Sequence, residues 1–319
     1  MTPEFDLIAR YFTRPAKNAS LGVGDDCALI RVSAGSELAV STDTLVSGTH
    51  FFGDADPFKL GQKALAVNLS DLAAMGATPR YATLALTLPA VDPDWLDGFS
   101  RGLFKLADEA AIELIGGDTT RGPLSMTLTV FGEVPIGKAL RRDRAEEDDD
   151  VWVSASLGDA ALALKHLQGL VVLRPAVLEY VLDRFHTPVP RNALGQALRD
   201  YAHAAIDVSD GLVADLAHIC ECSNLAADID WPLIPLSTAL MSVDPEMRVT
   251  CALAGGDDYE LCFTARENQR VALGAIAEKT GVPLTRIGKM RRGEAAVTVR
   301  DEHGGVLQIS ARGFDHFSA

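Results

Sequence analysis

Hydrophobic and polar positions in this chain follow two periods that repeatedly give way to one another. Ser125-Met126-Thr127-Leu128-Thr129-Val130 alternates strictly, which predicts a strand with one buried face. Short apolar runs at 38–42, 81–88, 112–115, 151–155 and 204–208 predict further strands. Between them the spacing opens to that of a helix. Leu96, Phe99, Leu103 and Leu106 recur at helical intervals within 93–111, and 178–185 and 212–220 read as helices too. An Ala/Leu-rich helix follows Gly158-Asp159, and a Pro-rich connection runs on after 220. The stretch 67–79 reads as the end of an apolar helix, with Gly76 placed for a left-handed cap and Pro79 barring continuation. Helices and strands alternate through both halves, so the expected class is α/β, in the sense of a mixed α+β chain.

Length makes this two domains rather than one, since the chain has 319 residues. The acidic run Glu146-Glu147-Asp148-Asp149-Asp150 reads as a solvated loop and places the boundary, giving 1–145 and 146–319. Net charge is −15, from 44 acidic against 29 basic residues, which excludes nucleic acid and anionic membranes as expected partners. No apolar run approaches the ~20 residues that a membrane span needs. The start, Met1-Thr2-Pro3-Glu4-Phe5-Asp6, lacks the basic and apolar stretches of a signal peptide. Five cysteines in no disulfide-like spacing suit a reducing compartment, so a cytoplasmic location is expected.

Asp71 is the anomaly in the pattern. Its neighbours on the helix face are Val67, Asn68 and Met75, and a carboxylate there is costly to ionise unless a cation meets it. Asp25, Asp26, Asp43, Asp118, Asp207, Asp210, Asp257 and Asp258 also follow a strand or a glycine turn, with no Lys or Arg beside them. Singly, each serves as a turn residue or helix cap, Asp210 being the best case for a cap. Gathered together they repel, by ~4 kcal/mol for like charges 4 Å apart at an effective dielectric of ~20. Hard divalent cations resolve that conflict, and all-oxygen ligands select Mg²⁺, Mn²⁺ or Ca²⁺ over zinc. The commonest use of several such ions is to hold a nucleoside triphosphate. No Gly-x-x-x-x-Gly-Lys-Ser/Thr loop and no protein-kinase motif set is present. Phosphate would then be met by metals, by backbone N–H groups at glycine turns and by scattered arginines.

A family resemblance joins these motifs. Gly22-Val23-Gly24-Asp25-Asp26, Ser41-Thr42-Asp43-Thr44, the run from Lys63 through Asn68-Leu69-Ser70-Asp71 to Gly76, and Gly116-Gly117-Asp118-Thr119-Thr120 appear in order. Asp207-Val208-Ser209-Asp210-Gly211-Leu212 and Gly256-Asp257-Asp258-Tyr259-Glu260-Leu261 follow. Together they resemble the thiamine-monophosphate kinase family of the aminoimidazole-ribonucleotide-synthetase-like ATP-binding superfamily, over nearly the whole chain. The Asn-Leu-Ser-Asp stretch, His50 and the tail Gly313-Phe314-Asp315-His316-Phe317 point to this member of the superfamily.

The resemblance implies an N-terminal mixed sheet with helices that dimerises and a C-terminal α/β sandwich. It implies ATP-dependent phosphorylation of thiamine monophosphate to thiamine diphosphate, several Mg²⁺ ions and a homodimer. Carried onto matching positions, Asp26, Ser41, Thr42, Asp43, Asp71, Asp118, Asp207 and Asp210 would be metal ligands. Gly117, Asp118, Arg142 and Ser209 would contact ATP, and His50, Asp257 and Phe314 the thiamine phosphate. Two departures fall at the substrate end: the family commonly has Glu at the position of Asp257, and Tyr or Trp at that of Phe314. No acid or base residue is implied. A phosphate monoester has its second pKa near ~6, so the acceptor oxygen is already largely ionised at neutral pH. Two other functions fit the same motifs: a sister enzyme that activates a different small substrate with ATP, and a non-catalytic Mg²⁺–nucleotide-binding protein.

Overall fold

The periods of the sequence become regular elements over residues 3–309, the part of the chain that the computed structural model describes; Phe314 lies outside it. Two compact units result, Met1–Leu72 with Ala77–Gly137, and Ala73–Gly76 with Lys138–Ala319.

The first unit contains α1 (Pro3–Tyr11), β1 (Ser36–Val46), α2 (Pro57–Ala74), β2 (Thr78–Leu88), α3 (Pro93–Glu109), β3 (Glu113–Arg121) and β4 (Ser125–Pro135). Its sheet runs β1-β4-β2-β3, with β2 and β3 parallel and the other pairs antiparallel. The parallel pair needs a crossover, and α3 supplies it. Asp92 caps that helix by accepting from the N–H groups of Asp94 and Trp95, and Leu96, Phe99 and Leu103 are buried. α2 is apolar almost all round and accordingly buried almost all round, from Ala64 through Leu69. Gly76 takes the left-handed φ of 66° that ends it. β3 continues through Gly116-Gly117-Asp118 to Arg121, beyond the expected end at 115. The ladder to β2 overrides the poor strand propensity of those residues. On β1, Leu38 and Val40 remain 37% and 54% exposed, on the face turned away from α2.

The second unit adds β5 (Asp150–Ser154), α4 (Asp159–Leu167), α5 (Pro175–His186), α6 (Asn192–Leu198), β6 (Ala204–Val208), α7 (Leu212–Ser223) and β7 (Ala226–Asp230). It closes with α8 (Pro245–Ala254), β8 (Glu260–Ala265), α9 (Arg270–Thr280), β9 (Leu284–Arg291) and β10 (Val297–Arg300). The sheet order is β10-β7-β9-β5-β8-β6. Strand alternation splits its side chains between two cores. Val151, Val153, Ile206, Val208 and Cys262 pack with α4, α5, α7 and α8, while Trp152, Ala205, Leu261 and Phe263 pack with α6 and α9. This is an α/β sandwich.

Two readings of the sequence change here. The stretch after α7 is no mere connection, since it holds β7 and α8, the latter capped by Asp244 on the Met247 N–H with Pro245 in its first turn. The acidic run is solvated only over Glu146, Glu147 and Asp148. Asp149 and Asp150 are buried, Asp150 in a two-pronged pair with Arg270 at 2.6 and 2.9 Å. Asp149 accepts from His203, and Glu146 meets Arg266 at 2.7 Å. These counter-charges come from parts of the unit distant in the chain, so no local sequence pattern announces them.

Candidate active site

In the first unit β1 presents Ser41 and Asp43 to α2, because alternate residues of a strand share a face. Buried Asn68 ties the two elements together: its Oδ1 accepts the Asp43 N–H at 3.1 Å and its Nδ2 donates to Ala64 O at 3.0 Å. Asp71 follows on the adjoining part of the helix face, and the Ser41 hydroxyl donates to its Oδ2. Burial, and then the negative charge of Asp71, lift Asp43 to about 6. Two half-buried carboxylates and a hydroxyl in mutual reach form a donor set of oxygen atoms alone. This set fits a hard divalent cation, which would remove the repulsion that helps to raise Asp43.

The structure does not bring every expected ligand to this point. Thr42 stands on the opposite face of β1, its hydroxyl paired with Thr129 at 2.9 Å. Asp26 lies exposed in the loop before β1, its N–H taken by Asp25 at 2.8 Å. Asp118 aligns with Ala85, Thr127 and Thr44 across the sheet, so β4 and β2 lie between it and β1. At strand spacing that is about 14 Å. Gly117 beside it has φ 149°, and a Cβ there would fall 1.8 Å from Leu84 O, so only glycine permits this approach of β3 to β2. His50 closes the turn after β1, its Nδ1 accepting the Val46 N–H at 3.0 Å, which leaves Nε2 to carry the proton.

In the second unit β6 ends in the loop Ser209-Asp210-Gly211 that opens α7. Asp207 is buried on β6, and Ser209 and Asp210 follow it half-buried. The cap here is not Asp210. Asp215, one turn into the helix, reaches back and accepts the N–H groups of Ser209, Asp210 and Gly211 at 3.0–3.1 Å. Burial, and then the charge of Asp210, raise Asp215 to about 6 despite those bonds. Asp257 is held next to the same loop, its N–H donating to Ser209 O at 2.8 Å. Asp258 instead turns into the interior, where it accepts the Gly158 N–H at 2.7 Å and burial raises its pKa well above the usual carboxylate range. Arg142 lies exposed on a short 3-10 turn, its carbonyl accepting the Ser223 hydroxyl.

Sequence reasoning missed three residues that hold these side chains in place: Asn68, Asp215 and Tyr259, whose hydroxyl donates to Asp257 Oδ1 at 3.0 Å. For Asp215 a signal existed, since an Asp in the first helical turn sits within reach of the loop N–H groups. Asn68 and Tyr259 gave none, because their partners are set by packing. One further cluster, Glu146, Asp149 and His203, has ligand atoms within 4.8 Å of one another. Arg266 already offsets its charge, so no metal role is assigned to it.

Residues 24–134 match the AIR synthase related protein N-terminal domain, and residues 146–300 its C-terminal domain. The chain is 50% identical to thiamine-monophosphate kinase of Escherichia coli K12 over 321 residues, covering 99% of this chain and 98% of that protein. It is 32% identical to the Bacillus subtilis protein of the same name, covering 98% and 99%. The crystal structure of thiamine-monophosphate kinase from Stenotrophomonas maltophilia superposes with a TM-score of 0.85 at 50% identity, over 92% of this chain and 94% of that one. A structure described as AaThiL complexed with AMPPCP and TMP gives 0.79 at 28% identity, over 89% of each chain.

Proposed function

The chain belongs to the thiamine-monophosphate kinase family, and from that premise we propose that it transfers the γ-phosphoryl group of ATP to thiamine monophosphate, in the cytoplasm. The observation that carries this reading is half identity to a relative of that name over essentially the full length of both chains. The relative solved with AMPPCP and TMP supports the same pair of ligands.

Asp43 and Asp71, with Ser41, are assigned to Mg²⁺, as are Asp26, Asp207 and Asp210. Thr42 points its hydroxyl away from that group, toward Thr129, so its side chain is not assigned to the metal. The other residues would hold Mg²⁺, whose chemistry would be to neutralise the triphosphate charge and the charge developing on the transferred group. Gly117 and Ser209 bring backbone close to ATP, and Arg142 supplies a cation for its phosphates. His50 donates from Nε2 to the phosphate of the second substrate, and Asp257 meets its cationic ring. Phe314 is assigned to that ring as well. The phosphate acceptor is already ionised at neutral pH, so these residues need only align it in line with the γ-phosphorus and exclude water.

A homodimer completes the reading. The helix-free face of the first sheet carries Leu38, Val40, Thr42, Thr44, Thr127 and Thr129, a surface with no charged side chain among these positions. Asp118, about 14 Å from β1 by strand spacing, is assigned to the metal–triphosphate array of the second copy across that face.

Incubation of the purified protein with ATP, Mg²⁺ and thiamine monophosphate tests the proposal. ADP and thiamine diphosphate should form in equal amounts and only with Mg²⁺. ADP without thiamine diphosphate would transfer the assignment to a sister enzyme with another acceptor. Nucleotide binding with no ADP would leave a binding protein.

A further inference from the structure

Between α8 and β8 the chain runs through 255–259 without regular structure. Among the described residues six non-glycine positions hold a positive φ, and two of them stand here, Asp257 at 69° and Tyr259 at 52°. Such a backbone is strained for a bulky residue and persists only where the surroundings over-determine it. Here they do. The N–H of Asp257 donates to Ser209 O and that of Tyr259 to Val208 O, both at 2.8 Å. A Cβ on Gly256 would lie 2.2 Å from Ser209 O, so the two loops touch backbone to backbone.

The side chains of this segment are anchored in alternation. Asp258 is buried against the Gly158 N–H, and Glu260 is gripped by Arg184, Arg191 and Ser154 at 2.5–2.8 Å. Asp257 and Tyr259 are coupled to each other: the tyrosine hydroxyl donates to Asp257 Oδ1 at 3.0 Å while its ring is buried.

We propose that Tyr259 is a positioning residue for the thiamine monophosphate end of the reaction, its hydroxyl fixing the Asp257 carboxylate in the orientation that meets the substrate's cationic ring. This rests on the reading of Asp257 as a substrate contact. A carboxylate left to rotate spreads its charge over several positions, and ordering it costs affinity when the ligand binds. A hydroxyl bonded to one oxygen removes that cost beforehand.

Steady-state kinetics of the full chain test the inference, with Tyr259→Phe, Asp257→Ala and the double variant, each substrate varied in turn and Tm recorded. Tyr259→Phe keeps the ring and removes only the donor. The KM for thiamine monophosphate should rise roughly five-fold, the size of one lost hydrogen bond, with the KM for ATP and Tm as in wild type. Adding Tyr259→Phe to Asp257→Ala should change nothing further, because the hydroxyl acts through the carboxylate. An unchanged KM in Tyr259→Phe beside a raised one in Asp257→Ala overturns the inference alone. So does an equal loss in both backgrounds, or a lowered Tm with both KM values raised. An unchanged KM in Asp257→Ala removes the substrate reading of that residue and the inference with it.

Discussion

Asp43 and Asp71 show how a single side chain takes its chemistry from its neighbour. Each alone is an Asp near a strand or in a helix; together, burial and then the charge of Asp71 hold Asp43 back from ionising. Neutralising one relieves the repulsion but removes a ligand. Asp71→Asn should therefore reduce turnover by at least ~100-fold, while the Tm measured without Mg²⁺ stays level or rises. Wild-type turnover in that variant would take Asp71 out of the metal site. A Tm that falls sharply would make the pair a structural one. The residue scale also explains why Thr42 and Asp43, adjacent in sequence, cannot serve the same point through their side chains, since a strand turns them to opposite faces.

At the scale of elements, the loop between α1 and β1 is the longest irregular stretch of the first unit, and it carries Asp26. Two carboxylates of the sheet fasten it. Glu113, at the start of β3, accepts the N–H groups of Lys17, Asn18 and Ala19. Glu133, on β4, accepts the N–H and hydroxyl of Ser33 at 2.8 Å and pairs with Arg80. Burial pushes Glu133 up, but the Ser33 bonds and the Arg80 charge together outweigh it, and the net shift is downward. Glu113 is lowered in the same way, by the backbone N–H groups and the Asn18 amide working against its burial. A carboxylate lowered in the folded state stabilises it above the unfolded value, about 4.5, and that contribution is lost as pH falls through the folded pKa. Glu133→Gln should thus lower Tm at pH 7 by roughly 5 °C, and the gap from wild type should close as pH approaches 3. Melting curves across pH 3–7 check this. A gap that persists at pH 3 would assign the effect to packing.

For the molecule as a whole, the uncovered face of the first sheet and the distance of Asp118 from Asp43 make the same demand. A chain acting alone leaves apolar side chains in water and Asp118 three strand spacings from Asp43. Sedimentation should give twice the chain mass. Val40→Asp, which places a charge in the middle of that face, should yield monomers, with Tm held and turnover down by about 100-fold or more. Monomers that retain full turnover would place Asp118 outside the metal array. A wild-type protein that sediments as a monomer would remove the dimer altogether.

Local chemistry was enough to determine much of this protein. The two periods set the class and most elements, Gly76 and Pro79 ended α2, and the order of the aspartate motifs carried the family. These are properties of short stretches, where covalent geometry and side-chain spacing act directly. The extension of β3 through two glycines, the existence of β7 and α8, and the burial of Asp149 and Asp150 were decided only by tertiary structure. Each depends on partners distant in the chain: the β2 ladder, the central sheet of the second unit, and Arg270 about 120 residues from Asp150. The same holds within the site. Sequence supplies the carboxylates, but folding chooses that Asp43 faces Asp71, that Asp215 rather than Asp210 caps α7, and that Tyr259 holds Asp257. Hydrogen bonds and charges act over a few ångströms of space, and only the packed chain decides which residues share those ångströms.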